Sequence, residues 1–436
     1  MPNWDQRALD VLHALRQAGH QAVLVGGCVR DSLLGIPPHD YDAATSALPN
    51  EIRTACAQFH CIDTGAKHGT VTVLSDGLPV EVTTFRRESG YSDHRRPDRV
   101  EFTSSLTEDL ARRDFTINAM AWDQCGLVDP FGGREDLQNR LIRCVGHPDT
   151  RFDEDALRVI RGLRLSAQLR FTIHPDTAAA IRRHVPQLAL VAQERICTEF
   201  TRLLCSPGTE EVLLSFPEAA VQIIPELAPT VSFDQRSPHH IYDVYTHSVK
   251  AVAHVPPLAA LRLAALLHDV GKPATFFVGE DGNGHFYGHE KESVRLADTA
   301  LRRLRLDNAT REEALFLIER HHLPVEASKK WAGRWLSRFG EERLFHLLAL
   351  KRADGAACTP HPEAKKQLDE AEKLVRELLR NSPCISLKQL AVNGRDAMAA
   401  GLTGPAIGAA LNALLSRVAE GELPNDRDVL LRELDP

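Results

Sequence analysis

The chain of 436 residues carries 52 Lys plus Arg against 59 Asp plus Glu, a net charge of −7, with 43% hydrophobic and 25% charged residues. This balance excludes wholesale disorder and a fibrous repeat, and the length calls for two to four domains. The longest apolar runs, such as 263–267, are too short to span a bilayer, no secretory signal is visible, and nine cysteines without a CxxC pair read as reduced thiols. A cytoplasmic protein with no membrane contact is therefore expected.

Residues 5–18 have helical periodicity, and 22–25 form a short apolar strand running into Gly26-Gly27. TVTVL at 70–74 meets VEVTTF at 80–85 across Ser75-Asp76-Gly77, a hairpin signal. The polar, arginine-rich stretch 85–98 reads as a loop. Past residue 145 strand signals give way to helical patterns broken at Pro175, Pro186, Pro207-Gly208 and Pro225. Residues 229–240 read as a linker, a histidine-rich helical region runs to about Asp354, and 359–385 hold one amphipathic helix before a glycine-rich last segment. The predicted fold class is thus an α+β N-terminal head, with a mixed sheet and helices, followed by an all-α remainder.

Net acidity does not announce a nucleic-acid binder, yet arginines recur from Arg86 to Arg170 (Arg86-Arg87, Arg95-Arg96, Arg112-Arg113, Arg158, Arg161, Arg164). They read equally as a basic surface for a polyanion and as salt-bridged helical faces.

The first chemical constellation is LVGGCVRDSLLGIPPHDYDAAT, residues 24–45. Two glycines after a strand let backbone amides approach a phosphate, and Arg30 adds a charge-assisted contact. Asp40 and Asp42 are i and i+2, so on a strand they share one face about 6–7 Å apart, with Tyr41 turned inward. Such a pair can hold Mg²⁺ for phosphoryl or nucleotidyl transfer. Glu81 on the hairpin is a candidate third carboxylate and reads equally as an ordinary solvent-facing strand residue. In EDALRVIRGLR, 154–164, Asp155, Arg158, Arg161 and Arg164 recur every three residues, retreating about 60° per step on a helix that buries Ile160, Leu163 and Ala167.

GGxVRDxLLG followed by DxD, RRDFTINAMA (112–121), DPFGGREDLQNRLIR (129–143) and EDALRVIRGLR occur in an order that closely resembles the class II tRNA nucleotidyltransferase and poly(A) polymerase family. The resemblance implies a polymerase-β-like head. It also implies that Asp40 and Asp42 are catalytic and hold Mg²⁺. Gly27, Arg30 and Arg113 would hold triphosphate or sugar, Asp155 and Arg158 would read the base of CTP or ATP, and Arg161 and Arg164 would support nucleotide binding. The partner implied is the tRNA acceptor arm, and the reaction is addition of C, C and A with release of pyrophosphate. The stretch 85–98 is similar to a family loop associated with insertion of the terminal A. The segment after DxD reads TGAKHGTVTV, without the basic GRRF-type run of bacterial poly(A) polymerases. An A-only enzyme and a poly(A) polymerase remain the alternatives within the family.

His247, His268-Asp269 and Asp354 follow the H…HD…D order of HD phosphohydrolases, with His289 and the pair His321-His322 resembling the ligands of a second ion in a two-metal subtype. Imidazoles and carboxylates in this order suit a divalent transition metal that activates water on a phosphoester. A phosphohydrolase with an inactive, RNA-binding head is the rival reading from another class. Residues 387–415 are similar to the C-terminal segment of bacterial family members that carry an HD domain. The domains predicted are a head at 1–143, a neck at 144–228 with the nucleotide-reading helix, an HD body at 239–356 and a tRNA-binding tail at 359–436.

Overall fold

The computed structural model describes residues 3–65, 69–90, 99–237, 240–280, 282–380 and 384–434. The chain forms two compact units, Met1–Ile223 and Ile224–Pro436.

The first unit opens with helix Gln6–Gln17, started by the Asp5 side chain accepting from the Arg7 amide, and buries Ala8, Val11, Leu12 and Leu15 along one stripe. The strands are β1 (Ala22–Val25), β2 (Tyr41–Thr45), β3 (His60–Gly65), β4 (Thr70–Ser75), β5 (Leu78–Thr84), β6 (Arg86–Ser89), β7 (Arg99–Phe102), β8 (Ala121–Trp122) and β9 (Leu127–Val128). Seven of them make one mixed sheet in the order β3-β4-β5-β2-β1-β8-β9. The predicted hairpin is present: β4 and β5 pair antiparallel around Asp76 (φ 44°) and Gly77 (φ 79°), the positive pair that a tight two-residue turn requires. β2 pairs parallel with β5 and antiparallel with β1, so the sheet is mixed where the acidic residues sit.

The stretch read as a loop at 85–98 departs from that reading at its start. Arg86–Ser89 pairs with Arg99–Phe102 as an antiparallel ribbon, with an Arg86–Glu88 ion pair along one strand and Arg99–Glu101 along the other. Positions 91–98, including Arg95 and Arg96, lie outside the described residues.

Helices Pro148–Glu154, Leu157–Leu169, Pro175–His184 and Gln193–Leu204 complete the first unit. One strand pair interrupts the helices expected after residue 145. β10 (Leu141–Ile142) runs parallel with β11 (Thr172–Ile173), because Arg170 (φ 54°) turns the chain back at the helix end.

In the second unit, helices Val244–His254, Ala259–Leu267, His289–Arg303, Asn308–Arg320 and Glu341–Ala356 pack together, and a hairpin of β12 (Phe277–Val278) and β13 (Gly284–His285) lies at the surface. The stretch 229–240 is not a free linker. Gln235 is 1% exposed, donates to the Tyr242 carbonyl and accepts from Lys272 Nζ at 2.8 Å, so this segment packs into the unit it was predicted only to join. Helices Lys329–Phe339 and Pro362–Arg380 share a core of Trp331, Leu336, Leu368 and Val375, and Pro405–Ala419 closes a last cluster around Leu411 and Leu415. Among the described residues, no helix is long and apolar enough to cross a membrane.

Candidate functional sites

In the first unit the chemistry gathers at the ends of β1 and β2. Asp40 is exposed just before β2, Asp42 is half-buried within it, and Tyr41 between them is 6% exposed with its hydroxyl accepting from the Asp5 amide. Asp42 therefore points to the side opposite Tyr41, and Asp40, in the bend before the strand, is near enough to act on its charge. In-register pairing sets Glu81 directly across from Asp42. Burial raises the Asp42 carboxyl above its ordinary value, Arg113 opposes this, and Glu81 and Asp40 raise it further. Among the described residues none of the three carboxylates accepts a hydrogen bond or forms an ion pair. Three acids crowded together without a hydrogen-bond donor or an ion-pair partner fit a divalent ion between them.

The glycine turn explains itself sterically. Gly26 sits at φ 76°, and a Cβ there would lie 2.9 Å from Arg113 Nη1 and 3.6 Å from Asp42 Oδ2. Only glycine lets the backbone pass between this acid and this base. Gly27 begins the next helix, Gly27–Leu33. Arg30 on that helix is 6% exposed, donating to Asn118 Oδ1 at 2.7 Å and pairing with Asp31.

Segment 112–121 pins the following helix to this site. Asp114 accepts from Asn118 Nδ2, from the Phe115 amide at 2.8 Å and from Arg161 Nε at 2.9 Å. Burial would raise its carboxyl, but Arg161 and Arg158 hold it far below the usual carboxylate range. Phe115 is fully buried, and a Cβ on Gly162 of helix Leu157–Leu169 would come within 2.9 Å of its ring. The chain Arg30–Asn118–Asp114–Arg161 thus links the glycine turn to the helix.

Most of the clustered arginines prove to be salt-bridged. Arg86 pairs with Glu88, Arg87 with Glu108, Arg112 with Asp109 and Glu88, Arg158 with Glu154, and Arg164 with Glu199. Arg113 differs: its nearest acid, Asp109, is 3.5 Å away, and its buried Nε has no acceptor. It is the cation most in need of an anion beside Asp42.

The predicted four-residue stripe needs one correction. Asp155 is not on the helix with Arg158, Arg161 and Arg164. It lies in the break between Pro148–Glu154 and Leu157–Leu169, with φ −145° and ψ 105°. Its Oδ1 accepts from the Leu157 amide, so the short acidic side chain replaces a helical hydrogen bond and breaks the periodicity. Its carboxylate is held by Arg195 at 2.9 Å. Arg158 donates to Glu154 and to the carbonyls of Arg112 and Arg151. Of the stripe, Arg161 reaches Asp114 and the field of Asp42, whereas Arg164 turns to Glu199 and Gln168. Ile160, Leu163 and Ala167 are buried as read from periodicity.

The second unit gathers His247, His268, Asp269, His289 and Asp354, together with His321, His322 and Lys272. Each of four imidazoles has Nδ1 against a backbone carbonyl: His247 with Ala357 (3.3 Å), His268 with Ala265 (2.8 Å), His289 with Phe286 (2.8 Å) and His321 with Ile318 (2.6 Å). A carbonyl only accepts, so Nδ1 carries the proton and Nε2 offers a lone pair. Those lone pairs face one another. His247 and His268 Nε2 are 3.2 Å apart, and His289 and His321 Nε2 are 3.3 Å apart. Neutral rings in this tautomer cannot bond each other, and a cation between them removes the conflict.

Asp354 Oδ1 lies 3.1 Å from His247, and Asp269 Oδ2 lies 3.2 Å from His268. Asp269 Oδ1 faces His289 at 3.3 Å and His321 at 3.7 Å, buried with no hydrogen-bond partner. Two donor sets result, His247–His268–Asp354 and His289–His321–His322, with Asp269 between them. Sequence order alone had not distinguished His321 from His322; both belong to the second set, His321 buried and His322 exposed. Lys272 and Gln235, absent from the predicted set, hold Asp269 through a 2.7 Å ion pair and its supporting amide. The HDVGK spacing, which places Lys272 three residues after Asp269, was the available signal.

Residues 22–143 match the poly(A) polymerase head domain, 170–229 a probable RNA-binding site of that polymerase, and 291–434 a tRNA nucleotidyltransferase domain. The chain is 36% identical to a CCA-adding enzyme of Levilactobacillus brevis over 434 residues, 99% of this chain and 98% of that protein. It is also 36% identical to one of Geobacillus thermodenitrificans over 97% of this chain and 95% of that protein. The Bacillus stearothermophilus CCA-adding enzyme in complex with CTP superposes with a TM-score of 0.75 at 32% identity, covering 98% of this chain and 96% of that one.

Proposed function

The chain belongs to the family of CCA-adding tRNA nucleotidyltransferases, and from that premise we propose that its catalytic centre is the carboxylate face of β2 and β5 beside the Gly26 turn. The activity is template-free addition of C, C and A to the 3′ end of tRNA from CTP and ATP, with release of pyrophosphate, in the cytoplasm. Enzymes of this kind need a divalent metal, and we assign Mg²⁺ to Asp40 and Asp42, with Glu81 as third carboxylate. Bound there, the ion supplies Lewis acidity toward the tRNA 3′-hydroxyl and offsets triphosphate charge.

The rest falls to the protein. Arg113, with its guanidinium against Gly26 and its Nε unsatisfied, takes the triphosphate, and Gly27 leaves the backbone open to it. Arg30 holds Asn118, which holds Asp114, which orients Arg161 toward the same pocket. Asp155 offers acceptors and Arg158 donors to the base edge, steadied by Arg195 and Glu154. Arg164 supports the helix through Glu199. The observation that carries this reading is the set of three carboxylates, free of ion pairs, opposite Arg113, whose buried Nε has no acceptor. Incubating the protein with tRNA lacking its 3′ end and each labelled nucleotide in turn tests it. CC followed by A is expected; A only on CC-ended tRNA, or long A tracts, would replace it with an A-adding or poly(A)-adding activity.

A second reading concerns the other unit. The facing Nε2 lone pairs and the orphaned Asp269 oxygen support a centre for two divalent transition-metal ions that hydrolyses phosphoesters. Metal analysis of wild type against His268→Ala, with nucleoside 2′,3′-cyclic phosphate hydrolysis, decides it. Wild type without bound metal or hydrolysis would leave this unit a scaffold for the tRNA acceptor arm.

A further inference from the structure

The hairpin β12–β13 lies between Lys272 and His289, and its two faces differ. On one, Phe276 packs edge-on to Phe233 at 5.3 Å and lies 5.6 Å from Phe286, anchoring the hairpin inward. Gly284 keeps it close: its amide donates to the Arg236 carbonyl at 2.8 Å, and a Cβ would lie 2.2 Å from the Gln235 carbonyl oxygen. On the other face, Phe277 is the cross-strand partner of His285, and Tyr287 follows two residues later on the same side.

Of the three pairs these rings make, two are stacked and the third, Phe277 with Tyr287, is tilted at 45°. Phe277 and His285 lie 5.4 Å apart at 26°, His285 and Tyr287 5.6 Å apart at 23°, and Phe277 and Tyr287 5.6 Å apart. Here the rings stand at the surface, with Phe277 45% and Tyr287 76% exposed. A flat aromatic face open to water gains most from another flat π-system laid over it. Three rings are far too few for a stable protein interface, which buries about 800 Å² on each partner.

The same segment builds the metal centre. The Phe286 carbonyl fixes Nδ1 of His289, and Lys272 Nζ lies 5.2 Å above the Phe286 ring while pairing with Asp269. Tyr287 is two residues from His289, so their Cα atoms are at most about 7 Å apart.

We propose that Phe277, His285 and Tyr287 form a nucleobase-stacking platform for the phosphoester taken by the His–Asp centre. Its ligands are therefore nucleotides or RNA ends, in preference to base-free phosphoesters. The inference rests on the phosphohydrolase reading of that centre, and two probes separate their fates. In full-length, metal-loaded protein, kcat and KM are measured for adenosine 2′,3′-cyclic phosphate and for 1-O-methylribose 2′,3′-cyclic phosphate, which lacks the base. In parallel, 8-azidoadenosine 2′,3′-cyclic phosphate is photo-crosslinked and the labelled peptide identified, a readout that needs no turnover.

For Tyr287→Ala, kcat/KM for the adenosine probe relative to the base-free probe is expected to fall about tenfold, through KM, with recovery in Tyr287→Trp and crosslinking of wild type within 277–287. Hydrolysis by wild type with an unaltered ratio in Tyr287→Ala, or an equal loss on both probes, overturns the platform and leaves the metal centre standing. Crosslinking at the hairpin without hydrolysis in any metal keeps base binding and removes the hydrolytic reading. Neither crosslinking nor hydrolysis removes both.

Discussion

The two candidate centres use opposite solutions to holding a metal. In the first unit the donors are carboxylates at the strand ends of a sheet, Asp40 and Glu81 exposed and Asp42 half-buried, and no ion pair ties them down, Arg113 and Arg161 acting on Asp42 only through their field. In the second unit His247, His268, Asp269, His289 and His321 are all at most 3% exposed, and their outer nitrogens are tied to backbone carbonyls. An open carboxylate edge has few ligands of its own and must borrow phosphate oxygens to fill a coordination shell. A closed imidazole cage has most of its ligands before any substrate arrives. On the proposed assignments the first metal would travel with its nucleotide, whereas the second would reside in the protein.

The largest test of that contrast is a pair of substitutions. Asp42→Ala is expected to lower nucleotide addition by at least about 10³-fold while leaving tRNA affinity and the metal content of the second unit at wild-type levels. His268→Ala is expected to do the reverse, emptying the second centre while CC and then A are still added. Full addition by Asp42→Ala would refute the metal assignment. Gel filtration in metal-free buffer sharpens the same contrast. Addition should return at once on supplying Mg²⁺, while the transition metal co-elutes with the chain at every step. Loss of both metals on the column would erase the distinction.

Next in size is the joint between the Asp114–Phe115 segment and the nucleotide helix. Phe115 is fully buried against Gly162, so Phe115→Ala should cost about 3–5 kcal/mol of stability in denaturant unfolding of the full chain. A cost under about 1 kcal/mol would mean that this joint is loose.

How much of this was written in the sequence differs between the centres for a physical reason. Asp42 follows from strand period, since it turns opposite to the buried Tyr41, whereas Asp40 stands in the bend before β2, where that period does not apply. The hairpin was equally readable from Asp76-Gly77. Asp155 was misplaced because a short acid can cap its own chain two residues on, and three-residue spacing does not reveal that break. Arginine pairing was also hidden. Arg164 finds Glu199 thirty-five residues away, and Arg158 spends two donors on backbone carbonyls, contacts set by packing and invisible to local pattern. In the second unit the order of histidines was legible, but the direction of each ring nitrogen was not. Gln235 looked like linker because its burial depends on Lys272, distant in sequence.

A smaller, pH-dependent effect should separate the two units further. Arg161 and Arg158 hold the Asp114 carboxyl below its ordinary value of 3.8 in the folded state. A depressed acid contributes stability that is complete above its unfolded value and fades as pH falls toward the folded one. Stability of the first unit should therefore decline below about pH 4 more steeply in wild type than in Asp114→Asn. Parallel declines in the two proteins would show that Asp114 is not the group responsible.

The smallest expected effect concerns base choice. Asp155 sits in a break of the helix with Arg195 on its carboxylate at 2.9 Å, whereas Arg158 is held independently by Glu154. If these two side chains together present a C- or A-shaped edge, their mutual angle depends on Arg195 without Arg195 touching the base. One charge-assisted hydrogen bond contributes about 1.5–3 kcal/mol, part of which solvent replaces at this half-exposed position. Arg195→Ala should therefore shift the preference between CTP and ATP at each step by about tenfold, through misincorporation more than through the rate of correct addition. Arg195→Lys, which keeps the charge but not the planar fork, should fall between wild type and alanine. Equal slowing of C and A addition, with fidelity intact, would instead make Arg195 a structural brace and leave the choice of base to other side chains.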